Sequence, residues 1–280
     1  MITTAEREYV EENAYLPEHI PQYVSAISMT EPLLFDDYVV HAKREHLIFV
    51  GYPLKESFNE KQMGRAFKDA MKRCKPESVT LIAPAIPSCV NGRDHPPSDH
   101  YYRLELATLS ISQKLRNMLT RASRELSVER TRTFSREHKK LVNNFLETHR
   151  VDGGTQFIFK RIDKYLSSSI TGWVFDARNN RGELVAFDIA ELKPRDYTIY
   201  MFNFTSDALY VPGASDLLLS NVVQVSKEEG KKYVNLGLGI NRGVTFFKKK
   251  WGGVPFLPYA SCLYHPSRRE DLETLLRKLS

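Results

Sequence analysis

Long apolar runs are missing from this chain. No stretch approaches eighteen apolar residues, so the sequence predicts no membrane-spanning helix. Cysteine is scarce. Cys74, Cys89 and Cys262 are too few and too scattered for a disulfide framework, and they lack metal-ligand spacing, which points to a reducing cytoplasm. The opening residues MITTAEREYVEEN have neither the basic nor the apolar region of a signal peptide. There is no GxSxG elbow, Walker A loop, HExxH or CxxC, which removes the commonest hydrolase, nucleotide and metal signatures. Gly237-Leu238-Gly239 followed by Gly243 is one residue too long for a dinucleotide fingerprint, and no acidic partner follows it. Asp94, His95, Asp99 and His100 share a loop, but HPPSDH has no ligand spacing, so no metal site is expected.

What is present is ordinary globular material. The 280 residues are 42% hydrophobic, 26% charged and 11% aromatic, enough for one large or two medium domains with a sizeable core. The net charge of +6 is concentrated. Eleven Lys or Arg and five acids lie between Arg103 and Arg150, so this one stretch carries the whole excess. Such a surface attracts anionic partners, among them nucleic acid and phosphates; the alternative is a solvated helix face.

The first thirty residues read as an arm with a short helix broken at Pro17 and Pro21. Asp37–Val50 reads as two strands, Asn59–Arg73 as a helix with apolar residues at Met63, Ala66, Phe67, Ala70 and Met71, and Val79–Ala83 as a buried strand. Ser88–Ser98 is a loop. Leu104–Leu126 and Ser135–Arg150 read as helices of the basic segment, with Ser135 an N-cap whose capping box is incomplete at His138. Ser169–Phe175, Leu184–Ile189 and Tyr197–Phe204 form an antiparallel meander. The helix Leu217–Lys227, the strand Tyr233–Leu238, the helix Val244–Trp251, the strand Pro258–Tyr264 and a closing helix Arg268–Leu279 follow.

Three strands and then β-α-β-α-β resemble the GNAT fold. The residues Tyr233-Val234-Asn235-Leu236-Gly237-Leu238-Gly239, followed by Gly243 through Gly253 with Phe247-Lys248 and Trp251-Gly252, are similar to its Fem-type aminoacyl-transferase and phosphatidylglycerol lysyltransferase branch. His46–Leu54 and Lys114–Ala122 resemble the first lobe's Gly-x-Pro strand end and the basic linking helix of the lysyltransferase-type domains. The resemblance implies an α/β (α+β) protein of two GNAT-like lobes, each a mixed sheet flanked by helices. It divides the chain into an arm at 1–30, a lobe at 31–100, a basic helical segment at 101–152 and a second lobe at 153–280.

It also implies an acyl- or aminoacyl-transferase that takes its acyl group from an anionic donor, a CoA ester or aminoacyl-tRNA, with no tightly bound cofactor. The acceptor would be a small-molecule or peptide amine, or a hydroxyl, and tRNA is a candidate partner. The other reading is a non-catalytic GNAT-like protein that binds nucleic acid or another anionic ligand.

The loop Tyr210–Asp216 lies where this fold meets a pyrophosphate. Gly213 and Ser215 are the donor-loop candidates, but the usual Arg/Gln-rich pattern is missing, and Ser215 or Asp216 acting only as a helix cap is the favoured alternative. Asn235, Gly237, Gly239, Asn241 and Arg242 complete the donor set. Lys248 is the candidate for stabilising a developing oxyanion, against a solvated triple lysine at a helix end. Tyr210 and Tyr259 are carried forward as proton carriers, with Asp216 and Tyr264 weighed beside them. Arg116, Arg121 and Arg124 are the anion-binding candidates on the basic helix.

Overall fold

The computed structural model describes residues 2–55, 57–86, 90 and 98–266. Cys89, Asp94, His95, most of the Ser88–Ser98 loop and the expected helix Arg268–Leu279 lie outside the described residues.

The first half runs α1 (Thr4–Asn13), a 3-10 turn (Pro17–His19), α2 (Pro21–Ser28), β1 (Glu31–Phe35), β2 (Tyr38–Lys43), β3 (His46–Val50), α3 (Glu60–Cys74), β4 (Ser78–Ala83) and β5 (Asp99–Glu105). Next come α4 (Gln113–Glu125), β6 (Leu126–Thr131), α5 (Arg136–Thr148), α6 (Gly153–Phe159) and α7 (Ile162–Ser168). The chain continues through β7 (Gly172–Asn179), β8 (Leu184–Glu191), β9 (Tyr197–Thr205), α8 (Ala214–Glu228), β10 (Tyr233–Leu238), α9 (Arg242–Lys250) and β11 (Val254–Tyr264).

All eleven strands join one sheet in the order β1-β2-β3-β4-β11-β5-β10-β9-β8-β7-β6. The order repeats one pattern. β1, β2 and β3 form an antiparallel meander, α3 follows, and β4 returns parallel to β3. β7, β8 and β9 form a second meander, α8 follows, and β10 returns parallel to β9. The strand after each parallel strand crosses over: β11 closes on β4 and β5 closes on β10, while β5 and β11 pair with each other. The meander, the α/β crossover and the order from Tyr197 onward agree with the sequence reading.

Side chains alternate across the strands, so each face collects its own core. On one face, α3 packs against Val40, Phe49, Leu81 and Ala83, while α4 and α8 cover Tyr102, Leu104, Ala186 and Val234. The other face is covered over β7–β9 by α5, α6 and α7, whose Leu141, Val142, Ile162 and Tyr165 pack on Val174, Phe187, Ile189 and Phe202, and elsewhere by the N-terminal residues. Val10 packs with Val39 and Leu54, Leu16 with Val50, Tyr52 and Tyr101, and Ala14 and Ile20 with Ile199. The stretch expected to be an arm is therefore a cover laid across both halves of the sheet. Pro21 does not break a helix; it occupies the first turn of α2, where a missing N–H costs nothing.

The basic segment also differs from expectation. It is not helical throughout, because Asp99–Glu105 and Leu126–Thr131 are strands. In YYRLEL, Tyr102, Leu104 and Leu106 point to one face and Tyr101 to the other, and all four are buried, as a central strand requires. The capping box of α5 is complete after all. Ser135 N–H donates to His138 Nδ1 at 2.9 Å, and His138 Nε2–H donates to Asp176 at 2.7 Å.

Gly51 shows how tightly the first half is closed. A Cβ there would lie 2.8 Å from Ala83 Cβ, 2.9 Å from Met63 Sδ and 3.1 Å from the Ile82 carbonyl oxygen. Gly51→Ala should lower stability by about 1–3 kcal/mol, read as a shifted denaturant midpoint with an unchanged slope.

Candidate functional site

The two parallel pairs are not equally closed. β3 and β4 stay in register over five residues, His46–Val50 against Ser78–Ile82, and Gly51 N–H adds a bond to the Ile82 carbonyl at 2.6 Å. β9 and β10 pair over only three, Tyr233–Asn235 against Tyr197–Ile199. Beyond Asn235 a bulge turns β10 away, and Leu236–Leu238 leave the β9 ladder. A wedge results between the C-terminal ends of β9 and β10. The helices that follow differ in the same sense. The α3 N-terminus is capped by Asn59, which accepts from Lys61 and Gln62 N–H. The α8 N-terminus begins at Gly213, in a left-handed conformation with φ of 86°, and no side chain caps it. The favoured capping role for Ser215 or Asp216 is thereby corrected. Ser215 Oγ donates to Asn203 Oδ1 at 3.0 Å, and Asp216 is buried, accepting from Lys250 and from Trp251 Nε1 at 2.9 Å.

The bulge is built by its own residues. Asn235 is fully buried; its Oδ1 accepts from Gly237 N–H at 2.7 Å and its Nδ2 donates to the Tyr15 carbonyl at 2.6 Å. Gly237 has φ of 75°. The next turn is fixed by Asp99, whose carboxylate accepts from Gly239 N–H at 3.1 Å and Ile240 N–H at 2.7 Å. A Cβ on Gly239 would lie 2.6 Å from that carboxylate. Asn241 caps α9 by accepting from Val244 N–H at 2.9 Å, and Arg242 is exposed.

Lys248 is not the exposed residue that a triple lysine suggests. It is 4% exposed, and its Nζ donates to the Leu238 carbonyl, faces the Tyr102 ring at 5.9 Å, and lies 3.7 Å from where a Gly237 Cβ would be. Burial pushes its pKa down from 10.5 to about 7, with Asp99 opposing the shift. Lys249 is exposed, but Lys250 does not point to solvent, being paired with Asp216 at 2.6 Å.

The remaining candidates are scattered. Tyr210 is 68% exposed in the loop before α8. Tyr259 packs edge-on against Tyr101 on the opposite face of the sheet from Tyr102 and Lys248, and Tyr264 belongs to the α3 core. Arg121 and Arg124 are exposed on α4, with no ion pair among the described residues. Arg116 folds back on its own helix, bonding Gln113 and the Ile111 carbonyl. Sequence reasoning weighed Asp99 only as a metal ligand, and it missed both Asp188 and the turn-fixing role of Asp99. Asp188 is wholly buried on β8, bound to Asn203, and burial pushes its carboxyl up to about 8. Among the described residues no cluster could hold a metal ion.

Compared with known proteins, the chain matches no family model and no curated protein. Its likenesses are to solved structures. L-PGS from Bacillus licheniformis aligns at a TM-score of 0.62 and 16% identity, over 99% of this chain and 96% of that one. The C-terminal domain assigned as a lysylphosphatidylglycerol synthetase in Agrobacterium fabrum gives 0.63 and 14%, over 98% and 96%. FemX gives 0.62 and 10%, over 96% and 97%. At these identities the likeness is one of fold: the chain has a GNAT-like fold, close to the form of the Fem and lysylphosphatidylglycerol synthetase structures.

The buried amine makes a signed prediction. In the unfolded chain Lys248 binds its proton up to pH 10.5, in the folded chain only to about 7, so the residue lowers stability at neutral pH and this cost fades as pH rises. Lys248→Met should therefore be more stable than the parent at pH 7, by about 3–5 kcal/mol, with the difference shrinking toward pH 10. Paired denaturant titrations at the two pH values measure it.

Proposed function

We propose that this chain is an acyl- or aminoacyl-transferase of two GNAT-like lobes, with its donor site in the C-terminal wedge and an amine or hydroxyl as acceptor. The observation that carries the reading is the asymmetry between the halves. The first half has a closed strand pair and a capped helix, so its backbone groups are already used. The second half parts its strand pair and leaves a helix N-terminus uncapped at one place, and a buried lysine stands beside it. The parted strand ends leave room for a donor between them, and an uncapped helix N-terminus favours an anion.

The chemistry follows from Lys248. The acceptor's lone pair attacks the donor carbonyl, negative charge develops on that oxygen, and the leaving group departs as the acceptor's proton passes to it or to water. A protonated Lys248 in a water-poor pocket stabilises that charge. Entry of an anionic donor raises the amine's pKa again, which restores the proton as the charge arrives. On the other side of the wedge, Met118 of α4 fills the space beside Gly213, at 2.9 Å from where its Cβ would be. Lys114 and Arg121 lie one turn to either side of Met118 and would meet the donor's phosphates, with Arg124 further round the helix adding charge. Arg116 points the other way around the helix and adds only to the general field.

Thermal-shift screening against CoA, acyl-CoA esters and aminoacyl-tRNA comes first. A donor at one hundred times its dissociation constant should stabilise the fold by about 2.7 kcal/mol. With that donor, Lys248→Met should lower turnover, read as free CoA thiol or deacylated tRNA, by about 100- to 1,000-fold while the donor-induced shift persists. Stabilisation by uncharged RNA and by no acyl donor would favour the non-catalytic reading.

A further inference from the structure

Among the described residues, Met29, Asp36, Arg44, Lys75 and Ile240 are the non-glycine residues with positive φ. Four have ordinary reasons. Met29 and Lys75 terminate helices, and Asp36 and Arg44 sit in the tight turns of the first meander. Ile240 is different. It is β-branched, its φ is 58°, and it is 75% exposed. A β-branched side chain in the left-handed region is strained, and one in solvent recovers nothing from a core. The strain is imposed by neighbours. The Asp99 carboxylate holds the N–H groups of Gly239 and Ile240, and Asn241 N–H donates to the Gly239 carbonyl at 2.6 Å. The turn thus presents an isoleucine outward where glycine or asparagine would fit at lower cost.

The helix that follows continues the same surface. Arg242, Phe246 and Lys249 recur at i, i+4 and i+7 on one side of α9, and all three are exposed. Phe246 is 69% exposed. The opposite side carries Lys248 and leads to the buried Trp251. From Gly239 to Gly253 there is no Asp or Glu. Lys250 is taken by Asp216, whereas Arg242 and Lys249 have no ion pair among the described residues. Scattered exposed apolar residues are normal on any protein. A strained isoleucine and a phenylalanine flanked by free cations, with no acid in the segment, have the composition that enters the headgroup layer of an anionic bilayer.

We propose that Ile240 and Phe246, with Arg242 and Lys249, form a docking face for an anionic lipid surface. The apolar pair enters the interface and the cations meet the headgroups. Docking here would bring the mouth of the wedge to the membrane plane, because Ile240 lies two residues beyond the strand that forms it. The inference does not depend on the transferase reading. The face would dock whether or not Lys248 serves catalysis.

The test is co-sedimentation of the full chain with vesicles of phosphatidylcholine alone and of equal parts phosphatidylcholine and phosphatidylserine. Binding is expected to the anionic vesicles, to weaken with salt, and to be slight on the neutral ones. Phe246→Ser should lower it roughly tenfold. Ile240→Gly should also lower it while leaving the unfolding midpoint unchanged or higher, because the strain is gone. Met29→Ser removes another exposed apolar residue, 55% exposed just after α2 on the opposite face of the sheet, and should change nothing. Absence of binding to anionic vesicles overturns the proposal, as does binding that Phe246→Ser and Ile240→Gly leave intact. Since these variants keep Lys248 and Gly237, the donor-induced thermal shift is read on the same samples. Its presence or absence judges the transferase reading separately.

Discussion

Two parallel strands stay together only while each backbone group finds its partner, and β9 and β10 stop doing so after Asn235. The rest of the candidate site depends on that break. Gly237 takes a conformation costly for other residues, and Asn235 answers the freed Gly237 N–H with its own side chain. Asp99 reaches from β5 to hold the next two N–H groups. Lys248 enters the space left beside Gly237 and bonds the Leu238 carbonyl. Each step replaces a lost ladder bond or fills a space the bulge opens. The lysine's low pKa follows from the same event, since the gap is deep enough to exclude most water.

The exchange of closing strands makes this break affordable. β5 belongs in sequence to the first half and closes the second, while β11 does the reverse. β10 therefore keeps a full antiparallel partner on one side while it leaves β9 on the other. The N-terminal cover supports the same place from the back of the sheet. The Tyr15 carbonyl accepts from Asn235, and Ala14 and Ile20 pack on Ile199, the last residue of β9 still paired with β10. Loosening residues 14–20 would remove support directly under the bulge.

Much of the fold was legible in the sequence because it follows local periodicity. YVNLGL forms a strand with the expected bounds, and the α3 stripe of Met63, Ala66, Phe67, Ala70 and Met71 is buried as its spacing requires. β5 was not legible, because its Arg103 and Glu105 join a run of charge that looks helical, and its burial comes from two strands far away in the chain. β6 was missed for a similar reason: LSVERT is an edge strand whose charges face water. The site was legible only in part. Gly237 and Lys248 stand out by motif, but the burial of Lys248 arises from packing between β10 and α9. Asp99 lies about 140 residues from the N–H groups it holds, and no local pattern announces such a contact.

The central claim is that only the second half keeps an open wedge for a donor. Amide hydrogen exchange, with and without a donor that gives a thermal shift, tests it most directly. The account predicts new protection at the end of β9 and at the first turn of α8, with no change at Val50, Gly51 and Ile82. Protection appearing at the β3–β4 pair, with the β9–β10 wedge unchanged, would contradict it.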